Sequence, residues 1–225
     1  MVIVAKLVHP EKSHRKKVTL PKHSTVLAEF FGVMLGDGGI NNPWQANVTL
    51  NAIKDKEYVV YVSKLCYELF GIIPPVRKRK GKQALVVSLA STTVVDFLVE
   101  NGLSRGNKLK NGLRIPQWIL GSKKWRVACV RGLVDTDGCI FIHKHKVAGK
   151  TYQNIGLCFT SYSPELLAQV ATILEEFLII PHISGQGRNI YLYSEDMVAR
   201  YLKIFGSSNA RVYSVYNEWR DARVV

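Results

Sequence analysis

Two short segments constrain this chain more than anything else in it. FFGVMLGDGG, residues 30 to 39, reads as an apolar helix running into an aspartate held between glycines, and CVRGLVDTDGC, residues 129 to 139, repeats the pattern. From Ser24 to Gly36, the apolar residues Val26, Leu27, Phe30, Phe31, Val33, Met34 and Leu35 cover most of a helix surface, with Ser24 as N-cap. A helix apolar nearly all round belongs in the middle of a protein. Gly32 and Gly36 share one helix face, as do Ala128, Gly132 and Thr136 in the second segment, and small residues let two backbones approach closely. The two helices are therefore expected to pack along these faces, forming a helix interface at Gly32, Gly36, Ala128 and Gly132. That contact brings Asp37 and Asp137 side by side.

The residues after each segment run in the same order, which marks an internal duplication. The first copy continues through WQANVTLNA, a helix over DKEYVVYVSKLCYELFG with Asp55 as N-cap, a strand pair in PPVRKRKGKQALVVSLAS, and a helix ending at Gly102. The second continues through a hairpin turning at Gly149, the helix SPELLAQVATILEEFL, the strands of IPHISGQGRNIYLYS and the helix SEDMVARYLKIFG. The expected organisation is a basic N-terminal segment (1–23), a first half (24–107), a linker (108–121) and a second half (122–225).

The 225 residues suffice for a substantial core without cross-links. Cys66, Cys129, Cys139 and Cys158 show no CxxC spacing and read as reduced core thiols, which predicts an intracellular, unsecreted protein. The start lacks the long apolar region of a signal peptide, and no apolar run approaches a bilayer span. With 31 Lys+Arg against 17 Asp+Glu, a formal net charge of +14, the surface attracts polyanions, nucleic acid foremost.

The paired aspartates sit where electrostatics disfavours them. A helix C-terminus carries about half a negative charge, and two like carboxylates raise one pKa or demand a cation. Mg²⁺, a hard ion completed by waters and phosphate oxygens, answers that demand, and on a basic protein it suits phosphodiester hydrolysis. A single Asp-Gly after a helix is an ordinary turn. Two in matching positions of a duplicated chain point to a shared site.

FFGVMLGDG (30–38) and VRGLVDTDG (130–138) both resemble the motif of the LAGLIDADG homing endonucleases in their single-chain, two-motif form, and the likeness extends from about Val26 to Trp219. The resemblance implies an α+β fold of two pseudo-symmetric αββαββα units, the motif helices at the interface and two antiparallel sheets forming a DNA-binding saddle. It also implies Mg²⁺-dependent double-strand cleavage at a long, roughly palindromic site with short 3′ overhangs. Mn²⁺ is expected to substitute and Ca²⁺ to bind without supporting cleavage. The metal carboxylates map to Asp37 and Asp137, with Gly36 and Thr136 beside them; Asp135 matches a variable motif position and reads as a cap or interface residue. A basic residue near each site corresponds to Lys108, with Lys110 as rival, and to Arg211, which puts equal activity of the two half-sites in doubt. Water-ordering polar residues correspond to Asn51 and Ser161, which equally suit strand-end caps.

Alternation places basic side chains on the strands. Arg77, Arg79 and Lys82 interleave with Lys78 and Lys80, and His143, His145 and Lys150 interleave with Lys144 and Lys146. Together with Arg188, and with Trp44, Gln45 and Asn47 at the first hairpin, they are the candidate DNA contacts. Trp118, Trp125 and Trp219 read as packing residues, and HPEKSHRKK as a basic arm or solubilising tail. The expected partner is double-stranded DNA, bound by a monomer away from any membrane. The competing readings are an RNA maturase binding intron RNA and a non-cleaving DNA-binding protein of the same fold.

Overall fold

The computed structural model describes residues 18 to 221; the HPEKSHRKK segment, residues 9 to 17, lies outside them. The first motif forms α1 (Thr25–Gly36), and the Ser24 hydroxyl accepts the Leu27 N–H as its N-cap. Behind it come β1 (Gly38–Asn42), β2 (Gln45–Asn51), α2 (Lys56–Phe70), β3 (Val76–Lys78), β4 (Ala84–Ala90) and α3 (Thr92–Glu100). A short helix, α4 (Gln117–Leu120), precedes the second motif helix, α5 (Lys123–Asp137). The order then repeats as β5 (Gly138–Val147), β6 (Lys150–Thr160), α6 (Pro164–Glu175), β7 (His182–Ile183), β8 (Asn189–Leu192) and α7 (Glu195–Ile204). A final helix, α8 (Ala210–Asp221), has no counterpart in the expected order; it packs near β5 and buries Trp219.

Each half builds one antiparallel four-stranded sheet, in the orders β1-β2-β4-β3 and β5-β6-β8-β7. The β5–β6 hairpin turns at Ala148 and Gly149, both with positive φ. Along β2, Ala46, Val48 and Leu50 are buried while Gln45, Asn47, Thr49 and Asn51 are half-buried, so one face meets the core and the other looks out. Helices cover the inner faces, α2 and α3 on the first sheet and α6 and α7 on the second.

The two sheets are joined through α1 and α5, which pack against each other for most of their length. The reason is the small-residue face. A Cβ on Gly32 would lie 2.1 Å from the Cys129 carbonyl oxygen, and one on Gly132 would lie 2.4 Å from that of Glu29. No side chain fits at either crossing, so backbone meets backbone. Every residue of α1 from Leu27 to Gly36 is buried, each large apolar one contributing about 1.5–3 kcal/mol.

Two charged groups are buried with them. Glu29 accepts from the Tyr61 hydroxyl at 2.7 Å and the Ser208 hydroxyl at 2.6 Å, and pairs with Arg131 at 2.8 Å, tying α1 to α2, α5 and the segment before α8. Asp135 accepts from Ser207 Oγ at 2.5 Å and Ser208 N at 2.7 Å, which makes it an interface residue anchoring that same segment.

Only two of the four cysteines are core thiols. Cys66 and Cys129 are buried, whereas Cys139 is exposed and Cys158 half-buried, facing each other as register partners on the outer face of the second sheet. The alternation of β5 and β6, with Ile140, Leu157 and Phe159 turned inward, forces the thiols outward. Among the described residues, no helix is long and apolar enough to cross a membrane.

Candidate metal and nucleic-acid site

Because α1 and α5 cross at glycines, their C-termini end together. A Cβ on Gly36 would come within 3.2 Å of Asp137 Oδ2 and 2.0 Å of Thr136 Oγ1, so the end of one motif helix rests against the last residues of the other. Asp37 is the C-cap of α1 and Asp137 the last residue of α5. Asp37 is half-buried, while Asp137 keeps a side open to water. Burial first, then the charge of Asp137, pushes the Asp37 carboxyl up to about 7 against the pull of Lys108. Burial likewise raises Asp137, again opposed by Lys108.

Two cations hold these helix ends. Lys108 donates its ammonium protons to the carbonyls of Leu35 (2.7 Å), Gly38 (3.0 Å) and Gly36, three acceptors for three donors. Burial lowers its pKa and the two aspartates counter that. In the second copy, Arg211 Nη2 donates to the carbonyls of Asp135 (3.4 Å) and Gly138 (3.3 Å). Leu35 and Gly38 stand in α1 and its exit where Asp135 and Gly138 stand in α5, so the two cations grip equivalent carbonyls. Lys110, the rival for this position, is exposed. Arg211 differs in one respect: its Nε bonds Asp55 Oδ1 at 3.1 Å.

That contact also corrects the expectation for Asp55. It occupies the N-cap position of α2, yet its side chain makes no cap hydrogen bond. The carboxylate instead accepts from Asn51 N at 3.3 Å, Asn209 Nδ2 at 2.9 Å and Arg211. Nothing in the local sequence signals this, because two of the three partners lie in the other half of the chain.

Asn51 and Ser161 each turn a side-chain oxygen to the backbone that follows their strand. The Asn51 side-chain oxygen accepts the N–H groups of Ile53 and Lys54, both at 2.9 Å, and Ser161 Oγ accepts that of Ser163 at 3.2 Å. On the first sheet, the Thr49 N–H donates to the Asp37 carbonyl at 3.1 Å, and Asn47 lies two residues before it on the same face. Both line, with Asp37 and Lys108, a cavity of about 430 Å³ between the first sheet and the loop carrying Lys108. The outward alternation of β2 contained that signal, but choosing Thr49 required the register with Asp37. Thr136 turns its hydroxyl back to the carbonyls of Gly132 and Leu133, at 3.0 and 2.9 Å.

The candidate DNA contacts are spread over the outer faces and hairpins. Trp44 is exposed at the tip of the first hairpin, Gln45 donates to Asn47 at 3.0 Å, and Arg77 pairs in register with the outward Val86. Arg79 and Lys82 lie at the exposed β3–β4 turn, His143 is exposed on β5, and Lys150 opens β6. The His145 side chain falls outside the described atoms. Arg188 stacks over the Tyr162 ring at 5.0 Å. Trp118 and Trp125 pack with His23, the first stacked at 4.1 Å.

Among the described residues, no three His, Cys, Asp or Glu side chains gather as a ready metal cage. Two carboxylates at adjoining helix ends, each raised by burial, nevertheless fit a hard divalent cation that takes its remaining ligands from water and phosphate.

Comparison with known proteins agrees with this architecture. Residues 124–214 match the model of the LAGLIDADG-like domain, and residues 27–111 that of the WhiA LAGLIDADG-like domain. No curated protein matches the chain by sequence. Among solved structures, the meganuclease I-SmaMI bound to uncleavable DNA is 10% identical, with a TM-score of 0.57 over 88% of this chain and 90% of that one. The homing endonuclease I-LtrWI bound to target DNA is 9% identical, with a TM-score of 0.55 over 86% and 88%. I-DmoI in complex with DNA and Mn is 14% identical, with a TM-score of 0.51 over 82% and 98%. At such identities the likeness is one of fold.

Proposed function

As a protein of two tandem LAGLIDADG-like domains, the chain is, we propose, a site-specific DNA endonuclease of the homing type, acting as a monomer on a long, roughly palindromic duplex. The observation that carries this reading is the placement of Asp37 and Asp137 at two adjoining helix C-termini, where burial and the helix dipoles disfavour both charges and Asp137 further disfavours that of Asp37. Such a pair suits a bound divalent cation, Mg²⁺ in the first instance with Mn²⁺ as substitute. Ca²⁺ is expected to bind without supporting cleavage.

Asp37 and Asp137 would hold the metal, and Thr136 can add only its main-chain carbonyl because its hydroxyl is engaged within its own helix. When bound, the cation supplies charge neutralisation at the scissile phosphate and activation of water. The chain's own residues do the rest. Lys108 and Arg211 stand beside the carboxylates as fixed positive charge, placed to stabilise the phosphorane-like transition state on the two strands. The outer faces of the sheets and the basic hairpins position the duplex, and cleavage is expected to leave short 3′ overhangs.

The test is Asp37→Asn and Asp137→Asn, each assayed for binding and for cleavage of a randomised duplex library with Mg²⁺. Loss of double-strand cleavage by at least about a thousandfold with binding retained supports the reading. Wild-type protein that binds duplex DNA tightly but never cuts it would instead leave a non-cleaving DNA-binding protein of the same fold.

A further inference from the structure

Two residues beyond each motif aspartate, a row of side chains crosses the outer face of each sheet, and the two rows differ in chemistry. In the first, Gly39 faces Asn47 and Asn47 faces Ser88. In the second, Cys139 faces Cys158, Cys158 faces Tyr191, and Tyr191 faces His182, across all four strands. The first row presents Asn47 between a glycine and the buried Ser88, and Gln45 and Arg77 beside it add further hydrogen-bonding groups. The second is built of two thiols, the phenol ring of Tyr191 and, at its edge, the imidazole of His182.

Neighbours extend the second surface in kind. Phe141 meets Tyr191 edge-on with centroids 6.2 Å apart, and Tyr193 stacks on Tyr191 at 5.1 Å. Phe141 lies across β6 at Gly156, where a Cβ would come within 2.5 Å of the ring, so glycine is what lets this ring lie down on the sheet. Polar residues border this patch on the same face, His143 and Asn154 beyond Phe141 and Thr160 and Asn189 beyond Cys158, with Lys150 at the hairpin turn and Arg188 on Tyr162.

We propose that this thiol and aromatic row reads thymine methyl groups, so that the half of the target covered by the second sheet is specified by thymines, while the first half is specified by hydrogen bonds. The inference rests on the endonuclease reading above. In the major groove only thymine offers an apolar group, its C5 methyl; guanine, adenine and cytosine present acceptors and donors. Set against the Cys139 and Cys158 sulfurs and the Phe141 ring, those polar edges lose water and gain at best a weak thiol partner. A thymine there buries its methyl at no such cost.

The experiment is binding selection from a randomised duplex library, followed by replacement of each selected thymine with deoxyuridine, which removes only the methyl. Uracil is expected to weaken binding about fourfold per position in one half of the site, with little change in the other. The near-isosteric double variant Cys139→Ser, Cys158→Ser should relax the thymine preference in that same half, and Phe141→Leu, which keeps the surface apolar, should retain it. A selected site whose binding ignores uracil, or responds equally in both halves, overturns this inference and leaves the endonuclease reading standing. A chain that selects no duplex at all removes both.

Discussion

Lys108 and Arg211 grip equivalent carbonyls at the ends of α1 and α5, but the two cations are not electrically equivalent. All three Lys108 donors point at main-chain oxygens, and among the described residues the acids that answer its positive charge are the two motif aspartates. Arg211, with five donors in a planar fork, reaches two carbonyls and still bonds Asp55, a residue of the first half. The duplication has therefore kept the grip on the helix end and changed the charge behind it. At the α6 N-cap, where the second copy could have supplied a matching acid for Lys108, Ser163 stands instead and donates to the Leu113 carbonyl at 2.5 Å.

If that difference matters, the two strands should respond unequally to the two cations. Lys108→Met is expected to slow scission of one strand by about a hundredfold, and Arg211→Met to slow the other by about tenfold, because Asp55 already offsets part of its charge. Single-turnover cleavage of duplexes labelled on either strand, resolved on denaturing gels, reads both rates, and equal losses would erase the distinction.

Asp55→Asn sharpens the same contrast from the acid side. Releasing Arg211 should change the rate on its own strand several-fold while leaving the Lys108 strand unaltered, a selectivity that mere destabilisation would not produce. The partly buried pair should also cost about 1 kcal/mol on removal, measurable by urea unfolding.

The smallest effect concerns the carboxylates without metal. Asp37 titrates near 7 in the fold and at the ordinary carboxylate value when unfolded. Between those values the folded state holds the extra proton, so this group's contribution to stability falls as pH rises from about 4 to 7. In EDTA, Asp37→Asn should therefore raise Tm by a few degrees at pH 8 and by less at pH 5; Mg²⁺ should stabilise the wild type and narrow the gap. A gain that grows toward acid pH would contradict the desolvated pair.

Much of this was legible along the chain. The near-uniform apolar surface of α1, the Ser24 cap and the glycine spacing required a buried helix pair, and the pair required Asp37 and Asp137 to meet. The strand alternation around Val48 and Leu50 separated inner from outer faces. Legibility failed where a side chain had a choice of partners. Asp55 reads as a helix cap because Asp in that position usually caps, but Arg211 and Asn209, arriving from the far end of the chain, offered charge-assisted bonds that a local N–H could not match. Cys139 and Cys158 read as core thiols because their neighbours are apolar, and only the parity of the strands turned them outward. Thr49 gained its place beside Asp37 from register.

The sequence by itself determined the duplicated order, the two central helices and the aspartates at their ends, since periodicity and small-residue spacing act within a single turn or strand. The tertiary structure decided which cation serves which helix end, which acid restrains it, and which chemistry each sheet turns outward. Those outcomes depend on the crossing of α1 and α5 and on strand pairing, contacts between residues far apart in the chain whose geometry no local pattern encodes.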